Sequence, residues 1–367
     1  MISLPSRRSH CSASILLPLL MLLSACADTN DTDSSKGLPS SLQPTLINNV
    51  NQLNTYVAQQ RFEVRQQNAT MATQINQFLD EPNQENLLLA QTAWQSAHEN
   101  FLKLKPALLN DKDQLISRID AWPIQPGFLD SLPGYPATGI VNDLSVEISV
   151  KELIHQHGIT SDDEVSLGYH GLEYLLFERK VSDYIENTGL ADSHQTGTAS
   201  VAPAETKNVK RRVLLLSTMV AQLAIDIDTF NSQSESEIDD QASASSTLAG
   251  LIRSLQKNMR QAFRESLLLN ERDLSHGGYS GTSRSALLQE LNALKSFTLG
   301  QVDLSALLTT LDKTNAESFT VTLDQAIALA ATQQPSETEQ TKLDLTLSAL
   351  LHQLEDFELA LELSAHD

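Results

Sequence analysis

The chain has 367 residues, of which 46 are acidic and 25 basic, and its formal net charge is −21. Phosphate backbones would repel so acidic a protein, so we expect no nucleic-acid partner. Apolar residues recur mostly at three- and four-residue steps, and no alternation of β-branched residues persists long enough to indicate a sheet. The length allows two packed units, so the prediction is an all-α protein of two packed helical bundles.

The N-terminus has the three parts of a secretory signal at residues 1–25: a basic start, an apolar core and a small-residue cleavage site. The core is too short to span a bilayer as a helix. The tetrad Leu-Ser-Ala-Cys ending at Cys26 resembles a bacterial lipobox, which implies lipidation of Cys26 and anchoring in the cell envelope. Ala27 after it implies the outer membrane, facing the periplasm. A secreted protein with a fortuitous cysteine is the alternative.

Cysteine usage limits the kinds of site that the mature chain can build. The two cysteines are Cys11 and Cys26, and both belong to the signal or its end. A disulfide framework and a thiolate zinc site are therefore excluded. Any metal ion would be held by His, Asp, Glu or other oxygen donors.

The folded domain is predicted at residues 42–362, after a polar, flexible tether at 26–41. Its N-terminal bundle covers about 42–180 and its C-terminal bundle about 205–362, with a polar connection between them. The apolar spacing predicts helices at 43–79, 84–104, 209–230, 248–269, 284–297, 315–332 and 337–365. The first two are separated by Glu-Pro-Asn and form an antiparallel pair. A helix ending near Gly158 also fits residues 140–158.

Residues 118–130 cannot form a regular helix, because Pro123 and Pro126 each lack a backbone donor and restrict the residue before them. The stretch is predicted to be an ordered loop, and ordered loops on a rigid scaffold often carry function. Arg118, Asp120 and Trp122 are its candidate site residues. Alternatively, Arg118 and Asp120 pair with each other and only fix the loop.

His170 and Glu173 lie three residues apart inside an apolar helical run that begins at Gly168. On a helix this spacing puts both side chains on one face, roughly 5–6 Å apart at Cβ. Both can therefore reach one metal ion or one polar group of a substrate. The alternative is structural, with the histidine bonded to a carbonyl or to the neighbouring carboxylate.

The turn at residues 275–285 is rich in glycine and serine and precedes a predicted helix. Tyr279 and Ser280 lie within it, and Ser283 is predicted to cap the helix that begins at Arg284. The exposed N–H groups of such a helix start would favour an anion. Capping alone also explains these residue types.

Four motifs in this order resemble the imelysin-like family, also called the insulin-cleaving membrane protease or iron-regulated protein A family. They are Trp94 in the second helix, Arg-Ile-Asp-x-Trp-Pro at 118–123, Gly-x-His-x-x-Glu at 168–173, and Tyr-Ser-x-x-Ser at 279–283. The resemblance covers residues 42–362. It implies that His170 and Glu173 are metal ligands and that Gly168 is the glycine of that motif. It also implies that the site is walled by Arg118, Asp120, Trp122, Tyr279, Ser280 and Ser283.

The first functional hypothesis is an envelope lipoprotein that binds a metal ion, with iron as the metal that the resemblance suggests. His170 and Glu173 are its ligands, and Asp120 completes or supports the site. Helical bundles build metal sites from such inward-facing pairs, although a single pair does not make a di-iron centre. A role in iron acquisition is expected, with the membrane and an iron-uptake or envelope protein as partners.

Two further hypotheses come from other functional classes. A metal-dependent peptidase is implied by the family name, but the sequence lacks a His-Glu-x-x-His helix, since His98-Glu99 has no second histidine, and it lacks a Gly-x-Ser-x-Gly elbow. The other is a non-catalytic binding module for a polymer, haem or a protein. Trp122, Tyr135 and Tyr169 would then offer contact surface.

Overall fold

The computed structural model describes residues 38–107, 115–186, 208–232 and 241–365. The predicted signal, Cys26 and most of the tether lie outside these ranges, as does most of the polar connection between the predicted bundles. The described residues contain no strand, only two isolated β-bridges. Their α-helices are α1 Gln43–Asp80, α2 Gln84–Leu104, α3 Leu115–Ile119, α4 Val150–Gln156, α5 Gly168–Phe177, α6 Val209–Asn231, α7 Gln241–Ser266, α8 Ser283–Thr298, α9 Ser305–Leu311, α10 Lys313–Ala330 and α11 Glu337–Ala365.

The helices pack in two groups, which confirms the all-α prediction of two packed bundles. In the first, α1 packs against α2 and α6, and α5 lies against α2 and α6; in the second, α11 packs against α7 and α10, and α8 against α10 and α7. Contacts of α1 with α7 and of α2 with α8 join the groups into one compact unit. A continuous apolar core therefore runs between the two groups.

The helix pair α1–α2 forms as its sequence predicts. Residues 81–83 end α1, and the side chain of Asn83 caps α2 by accepting a hydrogen bond from the backbone N–H of Asn86 at 2.9 Å. Trp94 is fully buried on α2, and its indole N–H donates to the carbonyl of Tyr169 on α5 at 2.8 Å. The tryptophan thus fixes α2 against the helix that carries His170. Tyr169 is also fully buried, so it is a core residue and not contact surface.

The predicted helix at 140–158 is wrong over its first half, because only Val150–Gln156 is helical. The preceding residues turn beneath α6, where the guanidinium of Arg211 donates to several of their carbonyls at 2.8–2.9 Å. Those acceptors are Ile140, Val141, Asp143 and Val146. Carbonyls bound by an arginine are not paired in a helical ladder, so the chain stays irregular here.

Two helices in the C-terminal half also differ from the prediction. Helix α7 begins at Gln241, seven residues before the predicted start, since the small residues Ala244 and Ser245 pack into the interior. The short helix α9 at Ser305–Leu311 was not predicted. Its apolar residues Leu307 and Leu308 are buried, but seven residues are too few to show a helical period.

Within the described residues, α6 alone has the length and hydropathy of a membrane-spanning helix. Half of that stretch is buried inside the protein, and α6 packs against both α1 and α5. The apolar face of a core helix explains its composition.

Gly168 determines how closely α5 approaches the end of α3. Its φ is +84°, and a Cβ atom at this position would lie 2.6 Å from the carbonyl oxygen of Ile119 and still closer to that of Arg118. Only glycine avoids both the strained φ and the overlap. The first residue of the His170 helix therefore sits directly on the backbone that leads into Asp120.

We expect Gly168→Ala to lower the free energy of unfolding by more than about 2 kcal/mol, because it adds positive-φ strain to a backbone overlap. Chemical denaturation followed by circular dichroism measures the change. The matched control is Gly250→Ala inside α7, where an added Cβ meets nothing within 4 Å. The control should stabilise the protein by about 0.5–1 kcal/mol, as expected for Gly→Ala in a helix. Equal stability of the two variants would contradict this account of Gly168.

Candidate metal centre

Three imidazoles and one carboxylate meet at a single buried point. His98 comes from α2, Asp120 from the residue after α3, His170 from α5, and His276 from the turn before α8. The Nε2 atoms of the three histidines lie 3.1, 3.2 and 3.3 Å from the same atom, Oδ1 of Asp120. The four ligand atoms all lie within 4.8 Å of one another. The four side chains are at most 2% exposed.

The structure brings His170 and Asp120 together as predicted, but it places Glu173 elsewhere. Oε2 of Glu173 lies 2.9 Å from Nδ1 of His170, the ring nitrogen that faces away from Asp120. Its other oxygen accepts hydrogen bonds from the backbone N–H and the hydroxyl of Ser280 at 2.8 and 2.7 Å. Glu173 therefore has the geometry of a carboxylate that orients the His170 ring, and its oxygens are not among the four convergent atoms.

His98 and His276 were missed as site residues. His98 is followed by Glu99 but has no second histidine one turn later, so it does not match a known metal-binding helix motif. Its partners in the centre lie on other elements. Its position four residues after Trp94, on the buried stripe of α2, was the available signal. His276 is fully buried beside Gly277, in a turn whose glycines suggest only a loop. The chain separates His276 from Asp120 by 156 residues, so no local spacing could have paired them.

The remaining predicted residues lie around this centre in different roles. Arg118 does not pair with Asp120; its Nη2 lies 2.6 Å from Oδ1 of Asp226 on α6. The ring of Trp122 packs edge-on against His276, with centroids 5.8 Å apart, so it does wall the centre. Tyr279 stacks edge-on against Tyr174 at 5.3 Å and is one layer further out.

The predicted helix cap at Ser283 is wrong by one residue. Thr282 is the N-cap of α8 and makes no side-chain capping bond. Ser283 is the first helical residue, and its hydroxyl donates to the hydroxyl of Ser275 at 3.0 Å. It therefore braces the turn that carries His276 instead of capping the helix.

A second buried layer lies behind Asp120. Nζ of Lys105 is 2.7 Å from Oδ2 of Asp120 and 3.4 Å from Oε1 of Glu290 on α8. Oε2 of Glu265, on α7, is 3.7 Å from Nδ1 of His276. The lysine supplies a positive charge between the carboxylates, which keeps Asp120 from being an isolated buried anion.

Comparisons with known proteins agree with the motifs. The family model described as imelysin (peptidase M75) matches residues 58–354. The chain belongs to the imelysin family. No curated protein sequence matches it. The fold is similar to that of a protein described as an iron-regulated protein A precursor, from Parabacteroides distasonis, with 13% identity, a TM-score of 0.54, and coverage of 86% of this chain and 95% of the other. It is also similar to an imelysin-like protein from Psychrobacter arcticum, with 15% identity, a TM-score of 0.50, and coverage of 84% and 92%.

Burial and charge set the protonation of this imelysin centre. Burial opposes ionisation of Asp120, but Lys105 and the histidines overcome it and hold the pKa of the carboxyl well below its usual range. Burial lowers the pKa values of His98 and His276, so both imidazoles are neutral at neutral pH. Burial also acts on His170, but its hydrogen bonds to Asp120 and Glu173 prevail and raise its pKa to about 9.

The four convergent atoms fit a bound cation better than they fit a network of hydrogen bonds alone. Each histidine would have to carry a proton on Nε2 to bond Oδ1 of Asp120, yet that oxygen has only two lone pairs for three donors. Two buried atoms nearby also lack a hydrogen-bond partner, namely Nδ1 of His276 and Oε2 of Glu265. A metal ion among the four convergent atoms would use lone pairs that protein donors cannot fully use. His98, Asp120, His170 and His276 are therefore the residues that would hold it.

We expect the stability of the metal-free protein to carry a pH dependence from Glu290. Burial raises the pKa of this carboxyl from 4.5 to about 7, against the opposing charge of Lys105. Its folded pKa is the higher one, so its contribution to stability is complete below pH 4.5 and is lost as the pH rises through 7. Between pH 5 and 8 the wild type should lose on the order of 1–3 kcal/mol of its free energy of unfolding through this group, and Glu290→Gln should not show that loss.

Urea denaturation of chelator-treated protein at pH 5 and pH 8 measures this loss for each variant. The matched control is Glu147→Gln, an exposed glutamate outside the buried layer. The control should reproduce the wild-type pH dependence. If Glu290→Gln lost as much stability between the two pH values as the wild type, the raised pKa of Glu290 would be contradicted.

Proposed function

We propose that this protein binds a transition-metal ion through His98, Asp120, His170 and His276, and that it does so as a lipid-anchored envelope protein in iron acquisition. One observation carries the metal-binding part: four potential ligand atoms from four separated segments converge within 4.8 Å of one another in the protein interior. Converging polar groups are costly to bury unless something satisfies them. The signal and the lipobox-like tetrad ending at Cys26 support the envelope location.

The chemical types of the candidate ligands limit which metal ions the site would bind. Imidazole nitrogens suit iron, zinc, copper and nickel, whereas magnesium and calcium prefer oxygen ligands throughout. Iron is our choice within that group, and the description of the Parabacteroides distasonis neighbour as iron-regulated supports it. When bound, the ion would supply Lewis acidity or redox capacity at the centre.

The surrounding residues prepare the ligands for such an ion. Glu173 accepts the Nδ1–H of His170, which turns Nε2 of that ring toward the other three candidate ligand atoms. Ser280 holds Glu173 in place through two hydrogen bonds. Because His170 is protonated in the metal-free state, binding an ion releases a proton from its Nε2. We therefore expect the metal affinity to rise with pH.

His98→Ala, His170→Ala and His276→Ala should each abolish stoichiometric metal in the purified protein, measured by elemental analysis after loading with iron(II) and desalting. Each substitution removes one of four ligands. Glu173→Gln should weaken metal binding by roughly 10–100-fold without abolishing it, as expected for a residue that orients a ligand. His155→Ala is the control, since that histidine is 65% exposed and lies on α4.

Circular dichroism of each variant checks that loss of metal is not loss of fold. Retention of full metal content by a folded His276→Ala protein would contradict the four-residue centre. Loss as complete in Glu173→Gln as in His170→Ala would instead restore Glu173 as a direct ligand.

The geometry favours binding over the alternative of peptide hydrolysis. His98 lies in the centre, but the adjacent Glu99 points to the hydroxyl of Ser285, at 3.3 Å, and not to the metal ligands. The ligand side chains are also almost fully buried, which leaves a peptide bond little access to the centre. We expect no chelator-sensitive cleavage of the insulin B chain by the iron-loaded protein, as measured by mass spectrometry. Cleavage that disappears in His276→Ala would favour the peptidase.

A further inference from the structure

A cavity of about 670 Å³ lies directly beside the metal centre. Asp120 and Trp122 belong to both, because each lines the cavity and each also contacts a histidine of the centre. The volume falls in the usual range of small-molecule sites, about 300–1,000 Å³. A ligand bound in this cavity would lie against Asp120 and Trp122, outside the four buried ligand atoms.

The charge of the cavity lining is opposite to that of the protein as a whole. Helix α7 contributes Lys257, Arg260 and Arg264, which recur at steps of three and four and so share one helix face. Arg118 lines the cavity from α3. Against these four cations stand Asp120, which is already engaged by Lys105, and the exposed Asp162. A chain with a net charge of −21 thus gathers cations at this position.

Two of the four cations are neutralised by neighbours, and two are not. Arg118 pairs with Asp226 at 2.6 Å, and Arg260 pairs with Glu355 at 3.0 Å. Lys257 and Arg264 have no ion-pair partner among the residues that the structure describes. Both are exposed side chains whose charges are available to a ligand in the cavity.

The unpaired cations of the lining also favour one type of anion. Arginine guanidinium groups match the geometry of carboxylates, and the lysine ammonium adds a second positive charge. A free metal cation, in contrast, would be repelled by the unpaired charges of α7.

We propose that this cavity binds a small anion with two or more carboxylates, and that the metal ion reaches the centre as the complex of such an anion. The second half rests on the proposed metal-binding function. Polycarboxylates chelate transition metals and give complexes of negative charge, so the cavity attracts the ion in this form. Lys257 and Arg264 are the residues that recognise the anion, and Trp122 lies between the anion and His276.

Citrate is the probe for the first half. We expect calorimetric titration of citrate into the full-length protein to show binding that is at least tenfold weaker in the double variant Lys257→Gln/Arg264→Gln. The matched control is Arg253→Gln/Lys342→Gln, which removes the same two charge types from exposed positions outside the cavity. Its citrate affinity should stay within twofold of the wild type.

Absence of citrate binding by the wild type, or equal weakening in both double variants, would overturn the proposal. The metal centre is tested separately with His276→Ala, which should lose the metal and keep its citrate affinity. Failure of metal binding with citrate binding intact would therefore count against the proposed function and not against the cavity.

Cobalt(II) tests the second half, because its visible absorption reports its coordination by histidine nitrogen. Uptake from cobalt(II) citrate should be at least tenfold slower in Lys257→Gln/Arg264→Gln than in the wild type, while uptake from cobalt(II) chloride should not slow. Equal rates from the citrate complex in the two proteins would overturn delivery through this cavity.

Discussion

The carboxylate of Asp120 is the interaction on which the rest of the structure depends. One of its oxygens faces three imidazoles from α2, α5 and the turn before α8, and the other faces the ammonium of Lys105. Both helical groups therefore meet at one buried anion. Removing it would leave a lysine and several polar nitrogens in an apolar interior, where each unpaired polar group costs about 1–3 kcal/mol.

This arrangement is more polar than a stable core requires. Two glutamates, one lysine and three histidines surround Asp120 in the interior, and several of their atoms have no hydrogen-bond partner. Well-packed apolar residues of similar volume are often as stable as such a network or more stable. The concentration of polar groups at one point therefore supports the proposed metal-binding role more than a contribution to folding.

The sequence predicts local features of this protein well and its distant contacts poorly. The bounds of α2 and nearly those of α1 follow from helical spacing and the Glu-Pro-Asn break between them. His170 stands out because its carboxylate neighbour lies one turn away. Whether Glu173 contacts Nδ1 or Nε2 of His170 depends on where Asp120 and Ser280 lie. Spacing along one helix does not determine those positions. His98 and His276 join the centre only through tertiary packing, and the carbonyls that Arg211 binds prevent a helix that the apolar pattern favours.

The contact at Gly168 fixes the spacing between two of the four candidate ligands. The first residue of α5 rests on the carbonyls of Arg118 and Ile119, so the segments that carry His170 and Asp120 are in direct contact. Any side chain larger than a hydrogen atom at position 168 would push the two segments apart. The geometry of the candidate centre therefore depends on a residue that offers no ligand atom of its own.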